Sequence, residues 1–492
     1  MRGRVASYLL GAAIGLGIGW HVLQETVPGR LDVALGVGLL LIVLATLHGR
    51  GLLHLPDADR LVLGVPVLLL VGALIWRDSE LLFVLNLLVI AGLIALARPV
   101  RVGIRSGVLE SGFGDLATRL FHVARGGVTG TWFLVGTALG PDPSRTPGTR
   151  WAAGLGVLAM SPVLLLFSLL LGSADPVFGQ LLGNLVDPEV AMQHFFPVAV
   201  FSWLAAGLLW ALTRPPSAND VPPAGGRISA PMMLGALAPI ALLFAAFLAV
   251  QSRYLFGGRA VVMGTANLSF SEYARRGFFE LVAVSAMMLP ILLVADWAVS
   301  QHADEDRRRF RRLALCLLVL LSGLLGSAVL RMYIYTDEYG LTEQRLFTTA
   351  LMLWLAFVFA WFAVTVLRGR RERFTAGALA SAFLLLMLLN AAGPDAVIVR
   401  TNAWRAERGR PFDAAYLASL GAGAVPAALA VLPTLPVNER CEGANRLFKR
   451  WRAEKAVPRN DWSIERWRAR GPMLDRLALE ATTACRGVRI WP

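Results

Sequence analysis

The sequence predicts an all-α fold: a polytopic membrane helix bundle of about 11 spans, with its N-terminus inside and a small helical extracytoplasmic C-terminal tail. Three observations predict it. The chain has 492 residues, 56% of them hydrophobic and only 16% charged, whereas a soluble globular chain runs at about a quarter charged. Apolar runs of about 20 residues, the length a helix needs to cross a bilayer core, recur along the chain. Arginine concentrates in alternate stretches between those runs, the bias that marks cytoplasmic loops.

The spans fall at approximately 6–23, 31–47, 61–76, 81–97, 151–172, 195–213, 232–251, 277–298, 313–332, 343–367 and 374–391. The first follows "MRGR" as a signal peptide would. No small-residue cleavage site succeeds it and a second span comes at once, so it reads as a membrane helix. Its Gly11, Gly15 and Gly19 share one face, where small residues let helices approach. An inner loop, 98–150, holds seven arginines against three acids. Within it, "GDLATRLFHVARGG" places Leu116, Leu120 and Val123 at helical spacing, and this segment is expected to lie along the inner membrane surface. A linker at 214–231, rich in Pro, Ala and Gly, separates two halves of the bundle. "RRRFRR" within 299–312 and "RGRRER" at 368–373 mark further inner loops, whereas "RDSE" at 77–80 and Asp175, Asp187 and Glu189 mark outer ones. Loop 252–276 dissents, since it should be outer yet carries Arg253, Arg259, Arg275 and Arg276.

This pattern divides the chain into a transmembrane domain, 1–391, and an extracytoplasmic tail, 392–492, of a protein of the inner (cytoplasmic) membrane. The tail is rich in Arg and Trp and has no span-length apolar run. It holds Cys441 and Cys485. An oxidising outer compartment makes a Cys441–Cys485 disulfide one reading and two unpaired thiols the other. The acidic outer loops of the N-terminal half are positioned to dock this basic tail.

The net charge of +14 does not point to nucleic acid, because most arginines sit between apolar runs where topology accounts for them. The bilayer is the partner that the composition requires. No cofactor or metal is implied: there is no Walker loop, no H-E-x-x-H and no Cys-rich spacing, and "GFGDLA" at 112–117 follows no strand. Asn86, inside the fourth span, reads as interhelical glue.

The unusual residues gather at the outer face. Glu272, Arg276 and Glu280 are spaced i, i+4, i+8 at the head of the eighth span, so they stack and can pair. In "LRMYIYTDEYGLTEQRLF", Arg331 closes one span, Gly340 makes the turn, and Thr342 caps the next helix with Glu343 in its first turn. Tyr333, Tyr335 and Tyr339 suit an interfacial aromatic belt. Arg345 fits none of these roles. It lies in the first turn of a helix, where the dipole disfavours a cation, and so calls for an acidic partner or an anionic ligand.

"YARRGFFELVAV", "YTDEYGLTEQR" and "GPDAVIVRTNAWRAERGRPFDAAYLASLGAGAVP" together resemble a bacterial membrane family, domain of unknown function 4173, which is related to 4153. The matching positions are Arg276, Gly277, Phe278, Glu280, Leu281, Tyr339, Gly340, Leu341, Thr342, Arg345, Asp395, Asn402, Tyr416, Leu417, Leu420 and Pro426. One departs: "GAGAVP" puts Gly423 where the resemblance leads to Asp. The resemblance implies a fold and topology and no activity.

The leading functional expectation is an outer-face site for an anionic headgroup or lipid-linked envelope precursor, enzymatic or binding. Arg276, Arg331, Tyr339 and Arg345 would clamp the anion, and Glu272 or Glu280 would act as acid or base. The alternatives are a transporter of a lipid or small solute, and a sensory or scaffolding protein whose tail binds a partner.

Overall fold

A computed structural model of the chain describes residues 2–23, 29–53, 57–98, 108, 112–139, 196–214, 230–256, 278–299, 304–453 and 462–486. The described residues form helices and turns, with no strand among them. Eight of these helices are long and apolar enough to cross a membrane. The order begins with α1 (Arg2–Leu23), α2 (Arg30–Gly49), α3 (Asp57–Trp76), α4 (Glu80–Leu96), α5 (Phe113–Leu139) and α6 (Phe196–Thr213). It continues with α7 (Ala230–Phe256), α8 (Phe278–Val299), α9 (Asp304–Tyr339), α10 (Glu343–Thr365) and α11 (Arg371–Ala392). Six shorter helices follow: α12 (Pro394–Ala406), α13 (Ala414–Ser419), α14 (Ala424–Val431), α15 (Val437–Ala453), α16 (Ile464–Arg468) and α17 (Pro472–Ala484). The span expected at 151–172 lies outside the described residues, as does most of the linker 214–231.

Three clusters of buried apolar side chains organise the molecule. One joins α1 to α6, a second joins α7 to α11, and a third forms the core of the six short helices, here called the cap. Helix α11 bridges the first two, since its Leu386 packs in the first cluster while Phe374 packs in the second. The hairpin between α9 and α10 reaches the third through Leu341. In the cap, a disulfide joins Cys441 on α15 to Cys485 at the end of α17.

Two elements differ from the sequence expectation. Helix α5 does not lie along a surface. Its Gly126 packs on Ala211 and Gly207, its Gly130 on Gly207 and Trp210, and its Thr131 hydroxyl donates to the Trp203 carbonyl at 2.6 Å. Those partners run backwards along α6, so α5 stands antiparallel beside it. Glycine on both helices permits that crossing, while Leu120, Phe121, Val128, Trp132 and Phe133 leave an apolar face outward. Helix α9 is the second. Its 36 residues rise about 54 Å, against about 30 Å of hydrocarbon. It therefore runs past Arg331, which is buried, and ends two turns later at Tyr339.

Apolar faces alone do not orient helices in lipid, so polar pairs carry much of the register. The side-chain amides of Asn86 on α4 and Asn390 on α11 bond reciprocally at 3.2 and 3.0 Å, both fully buried. Asn390 also donates to the Leu386 carbonyl. Changing Asn86→Leu alone should cost about 1–3 kcal/mol, because the Asn390 amide loses its partner while still buried. The double change Asn86→Leu with Asn390→Leu should recover part of that loss. Thermal unfolding of the purified single and double variants measures the coupling.

Candidate functional site

The polar groups of one end of the bundle converge on the three-residue loop 77–79 between α3 and α4. Ser79 caps α4, its hydroxyl accepting from the Leu82 amide at 3.3 Å, which fixes the direction of the loop. Arg77 turns toward the end of α11. It donates to the Asn390 and Ala391 carbonyls, the latter at 2.8 Å, where the negative end of the helix dipole favours a cation. The same guanidinium pairs with Glu465 on α16 of the cap.

Asp78 completes a reciprocal exchange. Its amide donates to Glu465 Oε2 at 2.9 Å, and its own carboxylate pairs with Arg466, Oδ1 to Nε, at 2.6 Å. The Ala422 amide donates to Oδ2 at 2.8 Å, and Arg30 at the head of α2 approaches Oδ1 at 3.7 Å. Arg30 also donates to the Asp78 carbonyl at 2.6 Å. The Asp78 side chain is only 2% exposed, so a complete set of partners is what makes an ionised carboxylate tolerable there. Ser79 then donates to Glu343 Oε1 at 2.6 Å in the first turn of α10, and the Glu343 amide donates to the Tyr416 hydroxyl at 2.8 Å. Loop, hairpin, α11 and cap thus meet in one network.

Asp395, in the first turn of α12, is buried in the middle of it. Burial, then the negative charges of Glu465, Glu343 and Asp78, push its carboxyl up to about 7, against a backbone hydrogen bond at Gly421 that pulls it down. A network of four carboxylates with one titrating near neutrality can hold or release a proton. Among the described residues no group of acids, histidines or cysteines is arranged to hold a metal ion.

A second set of bonds seizes the hairpin. Asn402 on α12 accepts from the Leu341 amide at 2.7 Å and donates to the Leu341 carbonyl at 2.9 Å. Arg405 donates to the Asp337 and Glu338 carbonyls at the end of α9, and Arg410 pairs with both of their side chains, at 2.6 and 3.1 Å. Gly340 has φ of +83°, and an added Cβ would lie 2.8 Å from Arg405 and 2.9 Å from Asn402. The turn therefore requires glycine on both conformational and steric grounds.

Arg345 answers differently from the sequence expectation. Its guanidinium donates to the Gly340 carbonyl and lies 4.0 Å from the centroid of the Tyr335 ring. It stands in the first turn of α10, but the tight turn also places it at the end of α9, where the dipole favours a cation. A carbonyl and an aromatic face take the place of an acid or an anion. Tyr339, about half exposed, packs against Tyr335 at 5.1 Å. Thr342 is the N-cap of α10, accepting from the Arg345 amide. Glu280 is exposed on the first turn of α8 and takes no part in the bonds around Arg345. Glu272 and Arg276 lie outside the described residues. The structure therefore brings Tyr339 and Arg345 to one hairpin, with Arg331 two turns below on α9.

The network at Asp78 was not identifiable as a site from the sequence. "RDSE" marked only an outer loop, and Glu465 and Arg466 sat in an ordinary helical pattern. In the structure the cap meets loop 77–79 through two ion pairs, Arg77 with Glu465 and Asp78 with Arg466. Gly423 has its reason here: a Cβ would fall 2.9 Å from both Glu465 carboxylate oxygens. A carboxylate brought from α16 fills the room that an Asp at 423 would need.

Gly423→Asp should therefore displace Glu465 and loosen the cap, with a loss of about 2 kcal/mol or more. Limited proteolysis of the cap, compared with wild type, measures it. The raised Asp395 carboxyl adds a pH dependence. An unfolded Asp ionises at about 4, so the stability Asp395 confers is complete below that value. It is lost as pH rises through about 7, where the folded carboxyl ionises. Thermal unfolding should weaken over that window by up to about 1.4 kcal/mol per pH unit, and Asp395→Asn should flatten the slope.

Comparison with protein families finds that a family described as domain of unknown function DUF4153 matches residues 64–431, well over half of the chain. The family suggested by the sequence resemblance, 4173, is a different though related one. The match runs through loop 77–79, the hairpin and α12 to α14, and stops short of Glu465 and Arg466. Neither the curated proteins nor the solved structures give a match. A multi-pass helical bundle whose matched region contains loop 77–79, Glu343 and Asp395 of this network, though not Arg30, the chain belongs to the DUF4153 family.

Proposed function

We propose that this is a sensory or scaffolding membrane protein, with 1–391 as the membrane domain and 392–492 as an extracytoplasmic cap that presents surface to a partner. The observation that carries the reading is the exchange of Arg77 with Glu465 and of Asp78 with Arg466. Together with the bonds of Asn402 and Arg405 on α12 to the hairpin, the strongest polar groups at this end hold cap to bundle. The Cys441–Cys485 bond supports an oxidising location for the cap. Exposed Trp467, Val437 and Leu479 give the cap apolar surface for contact.

The headgroup reading asks Arg345 to leave a carbonyl and a ring that already satisfy it. The transporter reading is served no better, because the buried Asn86–Asn390 amides satisfy each other and offer a solute no open coordination.

Lipid identification by native mass spectrometry on the purified protein separates these readings. A cap-holding role predicts that wild type and Arg345→Ala carry the same lipids. A lipid-linked precursor retained by wild type and lost from the variant would overturn it. Orientation has its own measurement. A cysteine at exposed Leu479 (Leu479→Cys) should react with a membrane-impermeant maleimide in intact cells, and reaction only after permeabilisation would place the cap inside.

A further inference from the structure

The chain passes from the bundle into the cap at Gly393, between α11 and α12, and Asp395 follows two residues later. Gly393 has φ of +70°, and an added Cβ would lie 2.7 Å from Arg77 Nη1, so this joint requires glycine. Asp395 is 4% exposed. A Cβ built at Gly421, between α13 and α14, would lie 2.7 Å from Asp395 Oδ2 and 3.1 Å from Asp78 Oδ2. The two carboxylates therefore press on the same point, one from the cap and one from the bundle. Glu465 on α16, Glu343 on α10 and the Tyr416 hydroxyl on α13 are the other titrating groups that face Asp395. The guanidiniums around them serve other groups: Arg77 pairs with Glu465, Arg466 and Arg30 meet Asp78, Arg410 pairs with Asp337 and Glu338, and Arg345 donates to the Gly340 carbonyl. Asp395 has a backbone hydrogen bond at Gly421 and, among the described residues, no ion pair.

We propose that Asp395 is a proton-operated latch between cap and bundle, with Gly393 as its hinge. Protonated, the carboxyl is a neutral group that tolerates burial beside Asp78, and its O–H is a donor that a neighbouring carboxylate can accept. When that proton passes to solvent, Asp395 repels Asp78, Glu465 and Glu343 together, and the cap turns away from loop 77–79 about Gly393. Linkage sets the direction. With the cap lifted, the carboxyl meets water and titrates at about 4, whereas the docked surroundings raise it to about 7. Docking therefore takes up a proton. Its support is complete below about pH 4 and is lost as pH rises through about 7. The latch rests on the sensory reading above and gives it a stimulus, the pH of the compartment that the cap faces.

The test uses the purified full-length protein in nanodiscs, with the exposed Cys316 changed to serine (Cys316→Ser). Spin labels go on Leu479→Cys in α17 and Leu81→Cys at the head of α4, both exposed positions. Electron paramagnetic resonance then reads the distance between cap and bundle at about pH 5 and about pH 8, either side of the transition. The labelled parent protein should show one short distance in acid and a second, longer one in base. Its docked-to-lifted ratio should fall by up to about a hundredfold between the two. Asp395→Asn should keep the short distance at both. Asp475→Asn, an exposed acid of α17, should respond as the parent does. Glu343→Gln removes one repelling charge and should shrink the response, which carries the comparison if Asp395→Asn fails to fold. A single distance in the parent at both values overturns the latch, as does an undiminished response in Asp395→Asn or Glu343→Gln, or an equal loss in Asp475→Asn. That failure leaves the scaffolding reading standing, because the lipid comparison of wild type with Arg345→Ala decides it separately.

Discussion

The cap stays on the bundle because Asp78 is a buried carboxylate that must be fully paired, and its partners come from distant parts of the chain. Arg466 and the Ala422 amide belong to the cap, Arg30 to the head of α2, and the Asp78 amide itself holds Glu465. Taking ions out of water costs several kcal/mol each, so such a group is tolerable only with all of its partners in place. The arrangement is therefore close to all-or-none: lifting the cap strands Arg77 and Asp78 on one side and Glu465 and Arg466 on the other. Arg77 extends the constraint to α11 by holding its terminal carbonyls, and Ser79 extends it to α10 through Glu343.

The two ends of the bundle obey opposite electrostatic rules. At the cap end, acids outnumber the space available to them, and one of them, Asp395, sits near its protonation midpoint at neutral pH. At the other end Arg307, Arg311 and Arg371 line a cavity together with Asp296 among the described residues. Between them the interior is apolar and is held in register by an amide pair and by close glycine contacts.

Much of the local structure was legible. Thr342 as N-cap, Gly340 as the turn and Asn86 as glue each follow from one residue type in one local setting. Helix α9 was legible only in its apolar part, because hydropathy stops at the bilayer edge while backbone hydrogen bonding continues for two more turns. Helix α5 was misplaced for a related reason. Arg119 and Arg125 in its first half and glycines within it lower its hydropathy, yet those glycines are what let it stand against α6.

The amino-acid sequence by itself determined that this is a multi-pass helical membrane protein, because apolar length and arginine bias are properties of short stretches and need no knowledge of neighbours. Only the tertiary structure decided which polar groups meet. Arg345 found a carbonyl and a ring instead of an anion, and Arg77 and Asp78 found partners 387 or more positions away in the cap. Lipid-facing and helix-facing apolar surfaces look alike in sequence, so nothing local states which helix a charged loop will face. That choice is made when buried charges are forced to satisfy one another.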